Sequence, residues 1–96
     1  MIIDKGVTVG EVVTLRLNTG EEIIGKLVED SSTNVSISKP MVLSMGQQGL
    51  GMMPFVFTVN PDKNIKISRA SVMMIEATDK QFADQYIQST TGIKLA

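Results

Sequence analysis

Asp30 and Asn34 stand four residues apart in a polar stretch, EDSSTN, and Arg69 follows a short apolar run later in the chain. These side-chain types suit recognition of a nucleobase. An asparagine amide can meet a base edge through two hydrogen bonds, and a carboxylate can orient that amide. A guanidinium can stack on a base or hold a phosphate. Each residue also has an ordinary structural use, since Asp and Asn in a turn commonly bond their own backbone. Spacing alone leaves both readings open.

Other candidates carry less. GQQGLG, residues 46–51, has the glycines of a phosphate cradle but lacks the Lys-Ser/Thr and the strand-to-helix setting, so it reads as a hairpin loop. Glu21 and Glu22 are adjacent on an extended chain and point to opposite faces, so they do not converge as an acid–base pair. Glu29 with Asp30 offers oxygen ligands to a divalent cation, but two carboxylates make a thin ligand set. The chain has no histidine and no cysteine. That removes Ser-His-Asp and Cys-His catalysis, ordinary zinc sites and disulfides. No cofactor is expected, and no enzyme.

The 96 residues fit one domain. Such a chain buries roughly two-thirds of the surface it exposes when unfolded, so a subunit contact would help it. With 43% apolar residues it is globular in composition. Net charge is −1, which weighs against strong nonspecific nucleic-acid binding but leaves room for a local basic site. The seven methionines read mainly as adaptable fillers of a core or contact. The start, MIIDKGVTVGEVV, is not a signal peptide, and no run is long enough to span a membrane. A cytoplasmic protein without membrane partners is expected, in the host cytoplasm if viral.

The candidate residues need a scaffold. Val13, Leu15 and Leu17 alternate with polar residues, which predicts a half-buried strand. Asn18-Thr19-Gly20 makes a turn, and residues 23–28 return as a second strand with Gly25 marking a bend. Residues 29–33 form a loop. Val35, Ile37, Met41, Leu43 and Met45 place apolar residues on one odd-numbered face, with a bulge or exposed edge at Pro40. Phe55, Phe57 and Val59 continue on a returning strand, which turns or kinks at residues 60–64. Ile65 and Ile67 resume it. Arg69-Ala70 breaks the chain before a last short strand, residues 72–75. Thr78 and Gln81 fit a capping box, Phe82/Tyr86 and Ala83/Ile87 share a helix face, and Gly92 is a plausible stop.

LRLNTGEEIIGKLVEDSSTNVSI resembles the first motif of the Sm-like family, with Gly20, Gly25, Asp30 and Asn34 at the motif positions. KISRASVMMI is similar to the second, with Arg69 at the Arg position. The compact chain looks most like the bacteriophage Sm-like proteins. The resemblance implies an all-β fold of small helical content. It would be a five-stranded, strongly bent antiparallel sheet forming an open barrel, with a short C-terminal helix. One Sm-like domain would cover residues 1–96, the barrel about 8–77 and the helix about 79–89. It implies a cyclic homo-oligomer of about five to seven subunits, whose loops bind single-stranded, uridine-rich RNA as a chaperone or scaffold.

By the same resemblance Asp30, Ser32, Asn34 and Arg69 are the RNA-binding positions. Ser32 departs from the aromatic or His that the family places there to stack on a base. Ala70 stands where the family has Gly, the loop between Gly25 and Asp30 is one residue shorter, and the family's N-terminal helix has no counterpart. These departures support a second reading: a ring that keeps the architecture as a structural or protein-interaction module without RNA recognition. Residues 41–53, rich in Met, would then be its contact surface.

Overall fold

In this computed structural model, residues 6–47 and 49–90 are described. The expected stop at Gly92 lies outside them. The first hairpin follows the alternation closely. β1 (Val12–Leu17) buries Val13, Leu15 and Leu17, and β2 (Glu22–Asp30) buries Ile23 and Leu27 on the same side. Between them Gly20 takes φ 109°, and its N–H donates to the Leu17 carbonyl at 2.9 Å. Only glycine takes that conformation at no steric cost. β2 runs on to Asp30, so the loop expected over 29–33 shrinks to Ser31–Thr33.

β3 (Asn34–Gly46) pairs antiparallel with β2 along most of its length. The Pro40 irregularity is a bulge. Lys26 faces Ser38 and Ile24 faces Met41, so Lys39 and Pro40 together oppose the single residue Gly25. Lys39 adopts φ 49°, in the left-handed region. The extra residue changes the parity of the strand. Val35 and Ile37 face the core, but beyond the bulge it is Val42 that lies beside core residue Ile23. Met41, Leu43 and Met45 turn to the other side. The single odd-numbered apolar face expected over residues 35–45 is therefore split between two faces.

β4 (Gly49–Pro54) and β5 (Asn64–Ser68) both pair with β3 on the side away from β2. β4 takes the far half and β5 the near half. β6 (Val72–Ala77) pairs with β1. The order is β4-β3-β2-β1-β6 with β5 beside β3, an antiparallel bent sheet of five lanes in which six strands lie. Two expectations shift here. Gly49, at φ 106°, is already paired with Gly46, so four of the six residues of GQQGLG are strand. Phe55, Phe57 and Val59 are not in a strand. The ladder ends at Pro54, the Phe55 N–H turns back to the Pro40 carbonyl at 3.0 Å, and residues 55–63 make an excursion before β5. The expected turn closes it: the Asn60 carbonyl accepts from Lys63 N–H, and the Asn60 side chain from Asp62 N–H, both at 2.9 Å.

The core is Val13, Leu15, Leu17, Ile23, Leu27, Val35, Ile37 and Ile67, with Phe55, Ile65, Val72 and Ile75 packed around it. Burying one such side chain contributes about 1.5–3 kcal/mol. None of the described methionines is buried. They lie on edges and on the outer face, so the core-filling role expected of them is corrected and a contact role is left.

Helix α1 (Lys80–Thr90) follows β6. The capping box does not form as expected. The helix starts after Asp79, whose carbonyl accepts from Phe82 and Ala83. The Thr78 hydroxyl instead shares a 2.8 Å hydrogen bond with the Thr14 hydroxyl, holding the helix entry to β1. Tyr86 is buried and its hydroxyl lies 2.8 Å from the Ser38 carbonyl and 2.9 Å from that of Lys39. Those carbonyls sit at the bulge, where the ladder to β2 is interrupted, so the phenol supplies a donor there.

Candidate nucleic-acid interface

The loop between β2 and β3 is organised by Ser31. Ser31 Oγ accepts from the N–H of Thr33 at 3.3 Å and of Asn34 at 3.1 Å, while Ser31 N–H donates to the Asn34 carbonyl at 2.9 Å. This is the hydroxyl counterpart of an Asx turn. It holds Asp30 at the end of β2 and Asn34 at the start of β3 close together. Ser32 sits exposed at the tip.

Arg69 arrives from the other end of the chain. It begins a 3-10 turn, Arg69–Ser71, that joins β5 to β6. Pairing of Asn34 with Ser68 brings that turn alongside the loop, and Arg69 N–H donates to the Thr33 carbonyl at 2.9 Å. On its far side the turn is held by Asn18, whose Nδ2 donates to the Ala70 carbonyl at 2.7 Å and whose N–H donates to Ser71 at 2.9 Å. Ala70 needs no positive φ in this turn, which explains how it replaces a glycine.

Asp30, Asn34 and Arg69 therefore meet at one rim of the sheet, with Ser32 beside them. The pairing differs from the simplest expectation. Asp30 does not hold the Asn34 amide; its carboxylate forms an ion pair with the Arg69 guanidinium. Asn34 Nδ2 donates to Thr33 Oγ1 at 3.1 Å. Arg69 has five N–H donors in a planar fork, and the one Nη1 contact to Asp30 leaves donors for a ligand. Its side chain is 37% exposed, so that fork reaches solvent. The Asp30 carboxylate is engaged by a cation of the protein itself, and among the described residues no group of three or more acidic side chains could hold a metal ion.

Ser31, Thr33 and Asn18 shape the site and were not singled out from sequence. Their signal was present: a Ser-Ser-Thr run and an Asn before Thr-Gly are turn formers. What sequence does not show is that both turns grip the same 3-10 segment. The acidic pair at the first turn is also resolved. Glu22 bonds Arg16 across the hairpin at 3.1 Å, and Glu21 accepts from the Thr19 hydroxyl, a bond that lowers its pKa.

A bent antiparallel sheet in this order with one short C-terminal helix matches the Sm-like fold. Among solved structures the chain is similar to a heptameric archaeal Sm protein. The two superpose with a TM-score of 0.52 at 14% identity, over 74% of this chain and 90% of the other. No family model matches the sequence, and no curated protein matches it.

Proposed function

We propose that this protein assembles into a cyclic homo-oligomeric ring that binds single-stranded, uridine-rich RNA at the Asp30–Asn34–Arg69 rim. It acts there as an RNA chaperone or scaffold without catalysis. The observation that carries the reading is the placing of Asn34 and Arg69, distant in sequence, on one rim, with the Arg69 side chain 37% exposed. The heptameric assembly of the archaeal neighbour supports the ring. So does strand chemistry. Among the described residues the sheet ends in two unpaired edges, β6 on one side and the β4–β5 lane on the other, and pairing them head to tail around a closed symmetry removes both. Met73 on β6 and Met53 on β4 are exposed near those edges and suit burial in such a contact.

Native mass spectrometry of the intact protein tests the ring, and a monomer at micromolar concentration overturns it. Filter binding to oligo-U across a salt series tests the site. Loss of binding in Asn34→Ala and Arg69→Ala supports it; unchanged binding in both removes it.

A second reading rests on Ser32. The loop tip presents a hydroxyl where a stacking ring is wanted, and stacking contributes about 1–3 kcal/mol per base. A ring that keeps its architecture as a protein-interaction module accounts for this. It is the outcome if the mass is oligomeric and oligo-U does not bind at low salt.

A further inference from the structure

The sheet face opposite the core carries a groove that RNA binding does not use. Its floor is Ile24 of β2, Leu43 of β3, Leu50 of β4 and Met74 of β6, and Phe82 of α1 forms a wall. The groove has a volume of about 450 Å³. Leu50 and Met74 remain 40% and 39% exposed, so this apolar floor meets water in the isolated chain. Its charge is one-sided. Glu76 and Asp79 stand at the rim with no lysine or arginine lining the groove, and Glu22, the third carboxylate, is paired with Arg16 outside it.

Two observations say what fits. The face already accepts a helix: α1 lies across it through Phe82 and Tyr86, and the open groove continues beside that helix over five strands. Among the described residues neither Glu76 nor Asp79 forms an ion pair, and carboxylates at an apolar trough attract cations and repel acidic surfaces. We propose that the groove docks an amphipathic helix of a partner protein, with an apolar stripe on the Ile24–Leu43–Leu50–Met74 floor and Lys or Arg flanking it to meet Glu76 and Asp79. This is helix-in-groove recognition, with side chains at helical spacing as anchors. It is independent of the RNA reading, since none of these residues lies at the Asp30–Arg69 rim.

The test is fluorescence anisotropy of the intact protein with two labelled synthetic helices, both with leucine at i, i+3, i+4 and i+7, one carrying lysine elsewhere and the other glutamate. The lysine peptide is expected to bind at least about tenfold more tightly. Glu76→Lys should abolish that preference, and Leu50→Gln should weaken both peptides. Both positions are exposed, and thermal unfolding of each variant confirms that it folds. Equal binding of the two peptides, binding of neither, or a preference unmoved by Glu76→Lys overturns the proposal. Binding of neither is also the result if a second copy of the chain already fills the groove.

Discussion

Gly25 and Ile37 occupy neighbouring strands with no room between them: a Cβ added at Gly25 would come within 2.1 Å of Ile37 Cγ2. The glycine stands opposite the Lys39–Pro40 bulge, so the strand that carries the extra residue can press against the one that lacks a side chain. This contact is where the register of β2 and β3 shifts.

Gly25→Ala should therefore destabilise the fold by about 1–3 kcal/mol through overpacking. Urea unfolding of the variant measures it. No loss of stability would mean that Ile37 can move aside.

Tyr86→Phe removes the donor from two carbonyls at the bulge and should cost about 1–3 kcal/mol. Hydrogen exchange should show the loss first in α1. Burial raises the Tyr86 phenol above its ordinary 10.0. The folded state holds that proton more tightly than the unfolded chain. The stabilisation is thus complete below the unfolded value, and it is lost as pH rises through the higher folded one. Tyr86 is the chain's one tyrosine, so tyrosinate absorbance reads this site alone. A titration at the ordinary value would contradict the burial.

Much of this scaffold is legible in sequence, and the limits are physical. β1, β2 and the 3-10 break at Arg69 follow from alternation and turn residues, which act locally. The excursion after Pro54 does not. FVFTV has strand propensity, but Phe55 N–H is taken by the Pro40 carbonyl, a contact made only when β3 and β4 are already paired. The parity change at Pro40 is similar, because a bulge is defined by what stands opposite. At the rim, the types Asp30, Asn34 and Arg69 could be read out. The Asp30–Arg69 pair could not, since it depends on a strand pairing across more than thirty residues of chain.

Ser32→Tyr should strengthen oligo-U binding by about 1–3 kcal/mol, roughly five- to 150-fold, if the loop tip faces bound bases. Fluorescence anisotropy measures it. An unchanged affinity would place the RNA elsewhere.

Lys39→Gly should stabilise the protein by up to about 1 kcal/mol. A lysine at φ 49° bears a steric cost that glycine does not, and its 3.9 Å contact with Asp62 is exposed. The melting temperature checks the sign. A lower value would mean that glycine's greater unfolded-state entropy outweighs the relief.

The bulge at Lys39–Pro40 also sets the phase of everything downstream. Removing its surplus residue would transpose the hairpin, sending Met41, Leu43 and Met45 inward and Val42 outward. The trough beside α1 would lose Leu43 from its floor. The molecule has a second apolar face because one strand is one residue too long.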